Sequence, residues 1–544
     1  MAKKTGLISF PYVSQSSKSL NFELIMFLPN QRLKDPISKD DFDPSALHEN
    51  GYAVRHEGQP GDSEVATRRP VILLVTPELN ESEFLGRNGK KSPCVKAGGL
   101  GEATALLLDS LSDAGMEVHI AIPRYSKLIS GVANAKSDNL HLCEDGEFEH
   151  RRSVYDCAES RNLRAALAFQ RHVIRHILPQ VRPDVVHCHD WMTGLVPAAA
   201  AVMGIPSLFT VHNLHDNETT LAETEDAGIE AQHFWERLYY NEFPASYESS
   251  REHNPFSLLA SGIICADETN TVSPGFLQEL CEGIHGSREV IGAIRAKASA
   301  GRTHGILNSL PSSLLPLNDR FLVARYDNTT HRAGKLANKA VLQSDFGLEQ
   351  NPDAPIIFWP SRLDPHQKGC GLLAEILRQT VVDYWGLGLQ FVFVADGIGR
   401  IELERIVADS GLERRVAIRS FSEQDSRMGY AASDFTLMPS SYEPCGLSQM
   451  IALRYGSIPI VHSTGGLRDT ITPLDREGNG IIFENHNTSG LRWAIDEALR
   501  FYVLPDDERE NTIAELMSTA ANSYQPINMM ARYLDVYNRI LKRI

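Results

Sequence analysis

The fold is decided by a stretch that begins Met438-Pro439-Ser440-Ser441-Tyr442-Glu443-Pro444-Cys445-Gly446-Leu447 and ends Ile458-Pro459-Ile460-Val461-His462-Ser463-Thr464-Gly465-Gly466-Leu467. A strand-like run ends in a loop with one carboxylate, Glu443, and a helix follows at once. The next strand ends in a second glycine loop. Parallel sheets bind ligands at the carboxyl ends of their strands, and free N–H groups at a helix start attract phosphate. The pattern predicts transfer of a group from a phosphorylated donor.

Strand-like and helix-like runs alternate in two separate series along the chain, one from Val71 to about Leu310 and one from about Pro355. Two such series predict two α/β domains with parallel sheets, with their boundary between Pro311 and Ala354 and a ligand cleft between them. The predicted strands are Val71–Val75, Met116–Ile122, Val185–Cys188, Ser207–Val211 and Ile263–Val272, then Ile356–Trp359, Leu389–Val394, Val416–Phe421, Phe435–Met438 and Ile458–Val461.

Length, charge and cysteine usage narrow the class of protein. At about 100–200 residues per domain, 544 residues predict two to four domains. The net charge of −16 argues against binding to nucleic acid or to an anionic membrane. Eight scattered cysteines without a Cys-x-x-Cys pair favour a reducing, cytoplasmic compartment. No run reaches the roughly 18 apolar residues of a membrane span, and the N-terminus lacks the apolar core of a signal peptide.

Further motifs occur far from the first stretch. Lys96-Ala97-Gly98-Gly99-Leu100-Gly101-Glu102 follows the strand-like run Val71–Glu78 and opens a helix. Others are His187-Cys188-His189-Asp190-Trp191, Thr210-Val211-His212-Asn213-Leu214, Thr271-Val272-Ser273-Pro274, Gly305-Ile306-Leu307-Asn308, Ser361-Arg362-Leu363 and Gln367-Lys368-Gly369. In type and order these motifs resemble those of the bacterial glycogen synthase and plant starch synthase family, over roughly residues 70–544.

The resemblance implies the GT-B architecture, an α/β fold of two facing Rossmann-like domains with the ligand cleft between them. It implies an acceptor-side domain over 70–320, a nucleotide-sugar-binding domain over 321–528 and a helix over 529–544 that crosses back. Residues 1–69 are additional, and we predict an edge strand plus a linker there. The implied activity transfers glucose from ADP-glucose, or UDP-glucose, to the non-reducing end of an α-1,4-glucan with retention. It implies no cofactor and no metal, and it leaves homo-oligomerisation open.

Arg362, Lys368 and Glu443 are the first candidate catalytic residues. Arg362 and Lys368 follow a strand end, where fixed cations stabilise the negative charge that develops on a diphosphate leaving group. By resemblance, Glu443 lies near the transferred glucose and the nucleotide. The plainer alternatives are two solvated surface cations and a carboxylate that only stabilises a helix N-terminus.

Asp190 and His212 complete the candidate catalytic set by resemblance. His212 ends an apolar strand-like run, and its family counterpart lies next to the transferred glucose. The segment that contains His187, His189 and Asp190 also has the residue types of a metal site, because alternation places both histidines on one strand face. No further spaced set of Cys and His accompanies it, so we favour sugar binding over a metal and a core role for His189.

The remaining candidate residues bind the donor or line the sugar cleft. Glycines let phosphate or sugar approach the backbone closely, and a helix start supplies N–H donors. The candidate donor-binding residues are Lys96, Gly98, Gly99, Asn308, Arg362, Lys368, Tyr430, Cys445, Gly446, Leu447, Thr464, Gly465 and Gly466. The candidate sugar-cleft residues are Glu102, Trp191 and Asn213.

Two departures from the family pattern affect the acceptor side. The segment between Arg124 and His187 is short for the family, and His215-Asp216-Asn217-Glu218 replaces the usual Ala-Tyr-Gln-Gly. A transferase with a small sugar or sugar-phosphate acceptor therefore remains an alternative, as does a non-catalytic glucan-binding or regulatory protein. A dinucleotide-dependent oxidoreductase is disfavoured because the glycine loop around Gly98 lacks the Gly-x-Gly-x-x-Gly spacing.

Overall fold

The computed structural model describes residues 68–87, 92–95, 97–129, 138–476 and 478–542. The predicted edge strand and linker in residues 1–67 lie outside these ranges, and so does the candidate donor-binding residue Lys96. In the first half of the chain the strands are β1 (Val71–Val75), β2 (Glu117–Pro123), β3 (Leu140–Cys143), β4 (Val185–His189), β5 (Ser207–Val211), β6 (Glu218–Thr219), β7 (Phe256–Ser257), β8 (Glu268–Thr271) and β9 (Thr303–Gly305).

Helices alternate with these strands. A π-helical turn, Val173–Ile177, joins the fourth and fifth of them. They are α1 (Glu83–Gly86), α2 (Gly99–Asp113), α3 (Gly146–Glu149), α4 (Glu159–His172), α5 (Leu178–Val181), α6 (Val196–Val202), α7 (Leu221–Asp226), α8 (Tyr247–Arg251), α9 (Leu258–Cys265), α10 (Pro274–Glu282) and α11 (Arg288–Ser299).

The second half of the chain repeats the alternation. Its strands are β10 (Ile356–Trp359), β11 (Gln390–Val394), β12 (Val416–Arg419), β13 (Phe435–Met438), β14 (Ile458–His462) and β15 (Ile481–Phe483). Its helices are α12 (His331–Asp345), α13 (Cys370–Asp383), α14 (Arg400–Ser410), α15 (Glu423–Ala432), α16 (Ser448–Arg454), α17 (Gly465–Thr470), α18 (Thr488–Tyr502), α19 (Asp506–Ser523) and α20 (Pro526–Leu541).

The described strands form two parallel sheets of the Rossmann type. The first has seven strands in the order β3-β2-β1-β4-β5-β8-β9, and the second has six in the order β12-β11-β10-β13-β14-β15. A small antiparallel pair, β6 and β7, is inserted between β5 and β8. Helices on both faces bury strands such as Val71–Val75 completely, which explains their continuous apolar sequence. The predicted pair of Rossmann-like domains is confirmed.

One predicted strand, Ile263–Val272, is wrong. Its first part belongs to helix α9, which Ser257 caps by accepting a hydrogen bond from the Ala260 N–H. Only Glu268–Thr271 forms a strand, and its polar side chains are fully buried. A short apolar run does not distinguish a buried helix from a buried strand by periodicity. The polar strand is stable because its side chains have partners: Asn270 accepts from Thr210, and Glu268 bonds to His304.

Helix α20 returns the chain to the first sheet. Met529, Met530 and Tyr537 on this helix are buried in one core with Ile72 and Leu74 of β1. The helix therefore covers the same face of the first sheet as α2, although it follows the second domain in sequence.

The buried Arg454 holds the two connections between the domains. Its guanidinium is 1% exposed and donates to the carbonyl oxygens of Pro311 (2.6 Å) and Leu314 (3.2 Å) on the first connection. It also donates to the carbonyl oxygen of Tyr524 (2.9 Å), just before α20. The carbonyl of Pro311 also accepts from the Leu314 N–H, and that of Tyr524 from the Leu310 N–H. One arginine therefore reinforces the backbone hydrogen bonds of both connections and ties them together.

We expect Arg454→Met to destabilise the protein by about 3 kcal/mol or more. The Leu314 carbonyl loses its donor, which costs roughly 1–3 kcal/mol, and the carbonyls of Pro311 and Tyr524 each lose a hydrogen bond from a charged group, worth roughly 1.5–3 kcal/mol. For a chain of 544 residues that unfolds as one unit, the loss corresponds to a fall in melting temperature of roughly 3 °C or more. Arg405→Met is the matched control, since that side chain is 67% exposed on α14. Equal melting temperatures for the two variants would contradict the role of Arg454.

Candidate active site

The candidate site lies where strand order reverses in both sheets. In the first sheet this point is between β1 and β4, and in the second it is between β10 and β13. Ligands of open parallel sheets bind at such switch points, beyond the carboxyl ends of the strands. Asp190 directly follows β4, Arg362 follows β10 and Glu443 follows β13. Asp190 therefore lies at the carboxyl edge of the first sheet, and Arg362 and Glu443 lie at the carboxyl edge of the second.

Contacts between the two domains border the site. Ser273 Oγ donates to the Pro444 carbonyl oxygen (2.6 Å), and the Gly275 N–H donates to the Asp469 carboxylate (2.6 Å). The 3%-exposed Glu279 accepts from the Gly465 N–H at 2.8 Å. It also accepts from Thr464 Oγ1 at 3.2 Å. Helix α10 of the first domain is therefore attached to the loops after β13 and β14 of the second.

Glu443 and Lys368 form a largely buried ion pair. Lys368 Nζ lies 2.6 Å from Glu443 Oε2, and the two side chains are 13% and 9% exposed. Ser440 Oγ donates to the same carboxylate oxygen at 3.0 Å. Arg362 is exposed, and its guanidinium donates to Gln367 Oε1 at 3.3 Å. The site therefore has one cation paired with the carboxylate and a second at the rim.

Three glycines pack directly on the backbone of the Glu443 loop. A Cβ atom at Gly465 would lie 2.1 Å from the Glu443 carbonyl oxygen, and one at Gly466 would lie 2.1 Å from that of Cys445. At Gly369 the carbonyl oxygen of Pro439 would also be 2.1 Å away. Gly465 additionally has a φ of +43°. These glycines are required for close packing, and any side chain there displaces the loop that carries Glu443.

The Thr464 loop uses its hydrogen-bond donors inside the protein. The Gly465 N–H bonds to Glu279, and the Gly466 N–H donates to the Glu443 carbonyl oxygen at 3.0 Å. Phosphate binding by this loop stays a prediction, and it requires Glu279 to move away from Gly465.

The first-domain glycine loop is held by Glu78, which is 2% exposed. Its carboxylate accepts from the N–H groups of Ala97 (2.7 Å) and Gly98 (2.9 Å). The other oxygen of Glu78 accepts from the Tyr155 hydroxyl at 2.7 Å. The loop is thus fixed from behind before helix α2 begins.

Two helix N-termini face each other across the cleft. Helices α2 and α16 both begin without a side-chain cap. A methyl group at Gly99, the first residue of α2, would lie 3.6 Å from Leu447 Cδ1 at the start of α16. Glu102 lies in the first turn of α2. Cys445, in the loop before α16, is buried, and burial raises the pKa of its thiol. The backbone N–H of Asn308 donates to its sulfur. The helix dipoles, with no capping side chain at either start, make this gap attractive to an anion.

Asp190 has an unusual backbone and an unusual carboxyl group. It is a non-glycine residue with φ of +59°, and its carboxylate accepts from the N–H groups of His212 (2.6 Å) and Asn213 (3.3 Å). Burial raises its pKa from 3.8 to about 7, against the lowering effect of those two hydrogen bonds. Asp190 therefore fixes the turn that carries His212, and strain of this kind is typical of functional sites.

His212 and Trp191 lie beside Asp190. The His212 ring nitrogen Nε2 is 2.9 Å from His189 Nδ1, and burial lowers the pKa of His212 to about 3. The His212 ring is therefore neutral at physiological pH. Trp191 is only 2% exposed and contacts the His215 ring edge-on at 5.6 Å. His215 belongs to the loop after Asn213 whose sequence differs from the family pattern. That loop therefore covers the indole.

Tyr430, a candidate donor-binding residue, lies in the core of the second domain. It is 4% exposed and packs edge-on against Phe358 at 5.0 Å between ring centroids. Its hydroxyl bonds to Ser448 at the start of α16. Tyr430 is thus part of the core under the cleft and not a surface aromatic.

Sequence reasoning assigned no role to Glu78, Tyr155 or Glu279. Glu78 carried a usable signal, because an acidic residue directly after strand β1 must lie at the ligand edge. Tyr155 reaches Glu78 from 77 residues away, and Glu279 reaches Gly465 from 186 residues away. No local pattern predicts such contacts.

In the parts of the chain that the structure describes, no cluster of three His, Cys, Asp or Glu side chains is arranged to hold a metal ion. Within those ranges, no helix combines the length and apolar character needed to cross a bilayer.

The pKa of Asp190 gives a testable pH dependence. The folded protein holds the Asp190 proton up to about pH 7. The unfolded chain releases it near pH 4, so wild type loses stability as the pH rises between these values. Asn tolerates positive φ and retains an oxygen for both N–H groups. We therefore expect the melting temperature of Asp190→Asn, relative to wild type, to rise from pH 4 to 7 and then level off. Parallel curves would contradict the assignment.

Comparison with known proteins agrees with this geometry. The sequence profile of the starch synthase catalytic domain matches residues 72–296, and that of the glycosyl transferases group 1 matches residues 354–500. Glycogen synthase of Exiguobacterium sibiricum is 31% identical over 455 residues, which cover 76% of this chain and 90% of that protein. Glycogen synthase of Bacillus licheniformis is 32% identical over 453 residues, with coverages of 75% and 89%.

Solved structures show the same arrangement of domains. The catalytic domain of starch synthase IV from Arabidopsis thaliana, bound to ADP and acarbose, has a TM-score of 0.71 and 25% identity. The match covers 87% of this chain and 99% of that one. Sucrose-phosphate synthase from Thermosynechococcus elongatus, at 17% identity and a TM-score of 0.55, shares the fold. The motifs, the two sheets and these relatives together lead to one conclusion: the chain belongs to the glycogen synthase and starch synthase family of glycosyltransferases.

Proposed function

We propose that this protein is a hexosyltransferase that moves glucose from a nucleoside diphosphate glucose to the non-reducing end of an α-1,4-glucan, with retention of configuration. The nucleotide sugar is a substrate, and the proposal needs no separate cofactor. The family membership of the chain supports the reaction class. The geometry of the cleft supports the assignment of residues to steps.

One observation carries the proposal: two uncapped helix N-termini face each other beside a buried Lys–Glu pair. The N-termini of α2 and α16 supply partial positive charge from opposite walls. Lys368 adds a full charge at the loop that leads into α16, and Glu443 supplies the carboxylate that pairs with it. A sugar diphosphate has the matching pattern, with two or more negative charges joined to a neutral ring.

Breaking the bond between glucose and diphosphate leaves negative charge on the departing phosphate. Cations fixed at that position stabilise the transition state more than the ground state, because the charge is greatest there. We assign this task to Lys368 and to Arg362 at the rim. For Lys368 the task requires an exchange of partners, from the Glu443 carboxylate to the phosphate.

That exchange leaves Glu443 facing the glucose. Its carboxylate remains bonded to Ser440 Oγ, and its charge offsets the positive charge that builds up on the sugar ring. His212, held by Asp190 through the backbone, contributes a neutral ring on the opposite wall. Glu443 and His212 therefore act on the same sugar from the two domains, and closure of the cleft excludes water from it.

We propose ADP-glucose as the preferred donor and the cytoplasm as the compartment. The starch synthase IV structure with a TM-score of 0.71 contains ADP, which is the leaving group of ADP-glucose. The eight cysteines form no disulfide with one another, and four of them lie at exposed or partly exposed positions in the first domain, which suits a reducing compartment.

The direct test measures release of nucleoside diphosphate from ADP-glucose and from UDP-glucose, with and without glycogen. We expect release that depends on glycogen and is faster with ADP-glucose. Release only with small sugars would show that the acceptor is a small sugar and not a glucan. Absence of release with both donors and every acceptor would refute the transferase assignment.

Lys368→Met tests the partner exchange. We expect kcat to fall roughly 10²–10³-fold, the usual effect of removing one group that stabilises transition-state charge. Lys542→Met, at the exposed end of α20, is the matched control and should retain wild-type kcat. A melting curve of each variant separates loss of chemistry from loss of fold. A Lys368→Met enzyme with near wild-type kcat would remove Lys368 from the mechanism.

A further inference from the structure

Three histidines are stacked behind the candidate sugar site. His187 and His189 lie on β4 with ring centroids 4.2 Å apart, and His189 Nδ1 is 2.9 Å from His212 Nε2. His187 and His189 are at most 1% exposed. A neutral imidazole carries one hydrogen, so each ring has one donor nitrogen and one acceptor nitrogen. The hydrogen-bond partners of the three rings determine which nitrogen is which.

The position of the hydrogen on His187 follows from its neighbours. Asn270 Nδ2 donates to the Thr271 carbonyl oxygen and the Tyr533 hydroxyl, so Asn270 Oδ1 is the atom that faces Thr210. The Thr210 hydroxyl donates to that oxygen at 2.6 Å and must accept from His187 Nε2 at 2.6 Å. His187 therefore carries its hydrogen on Nε2.

The other nitrogen of His187 connects the stack to the last helix. His187 Nδ1, without a hydrogen, accepts from the Tyr537 hydroxyl at 2.8 Å. Tyr537 belongs to α20, which crosses back from the second domain. Both nitrogens of the His187 ring are thus hydrogen-bonded. The ring is held in one orientation, and His189 packs on it.

His189 has a different environment, and this difference decides its tautomer. Among the residues that the structure describes, its Nε2 atom is buried and has no hydrogen-bond partner. A buried N–H without an acceptor is rarer and more costly than a lone pair without a donor. The hydrogen of His189 accordingly lies on Nδ1, the nitrogen that faces His212.

This arrangement fixes the next ring in turn. If His189 Nδ1 donates, His212 Nε2 accepts, and the His212 hydrogen lies on Nδ1. Burial lowers the pKa of both rings, which keeps them neutral. His212 is partly exposed at the carboxyl end of β5, and Nδ1 is the ring nitrogen not used by His189. The His212 nitrogen left for a ligand is therefore an N–H donor and not an acceptor.

We propose that His189 is a positioning residue, which holds His212 in the Nδ1–H form so that His212 donates a hydrogen bond to a hydroxyl oxygen of the bound sugar. The inference deepens the proposed function and rests on it for the identity of the ligand. His189 does not touch the sugar. It acts through His212. In the opposite tautomer, His212 Nδ1 would have a lone pair and could only accept a hydrogen bond from a sugar hydroxyl.

Three substitutions of His189 separate this role from packing. Asn places its amide at the position of His Nδ1, and Gln places it near Nε2, whereas Leu removes the donor. We expect His189→Leu and His189→Gln to lower kcat roughly tenfold or more, because His212 then loses its fixed tautomer and its hydrogen bond to the sugar is lost or misaligned. His189→Asn should retain most of the activity. His233→Leu, at an exposed position, is the matched control.

Histidine ¹⁵N spectroscopy of the wild-type protein provides a readout that packing does not change. Ring nitrogens with and without hydrogen differ strongly in chemical shift, and the signal that disappears in His212→Asn identifies His212. We expect a neutral Nδ1–H ring in wild type and in His189→Asn, and a mixture of tautomers in His189→Leu. Because this measurement needs no substrate, it decides the role of His189 even if the transferase assays fail.

Two results would overturn the proposal. One is a wild-type His212 that carries its hydrogen on Nε2. The other is an equal kcat for the Leu, Gln and Asn variants at matched melting temperatures, which would reduce His189 to a packing residue. If His189→Leu does not fold, the comparison of His189→Gln with His189→Asn still decides between the two roles.

Discussion

The loop that carries Glu443 depends on backbone packing that leaves no space for side chains. Gly369, Gly465 and Gly466 come from the ends of neighbouring elements and press against its carbonyl oxygens. Glu443 can therefore be held next to Lys368 with little freedom, although it lies in a loop. Sites on loops are usually less rigid than sites on strands, and close packing of this kind compensates for the difference. The two glycines after Thr464 serve this purpose whatever else they bind.

The same segment also joins the two domains. Thr464 and Gly465 bond to Glu279 of the first domain, while Gly465 and Gly466 support Glu443 of the second. A change in the angle between the domains therefore acts directly on the segment behind Glu443. On the other side, Arg454 and helix α20 bind the connecting chain to both domains. Domain position and site geometry are in this way set by a small number of polar contacts around the cleft.

The sequence predicted the two-sheet fold and most strands, because apolar runs such as Val71–Val75 and Ile356–Trp359 are local features that burial on both faces requires. It misread Ile263–Val272, where an apolar helix is followed by a polar buried strand. Strand ends also predicted that Arg362 and Glu443 lie at the carboxyl edge of the second sheet. The partners of those side chains were not predictable, since Glu279, Tyr155 and the ring stack behind His212 are brought together only by tertiary structure. The site roles of the individual residues remain predictions that the variants above test.

In the proposed mechanism Lys368 changes partner, from the Glu443 carboxylate to the diphosphate of the donor. A crystal structure with ADP bound tests it most directly. We expect phosphate oxygens between the N-termini of α2 and α16, within hydrogen-bonding distance of Lys368 Nζ, and Glu443 no longer bonded to that nitrogen. A diphosphate bound away from both helix starts would contradict this exchange of partners. So would a Lys368–Glu443 pair that stays unchanged beside bound ADP.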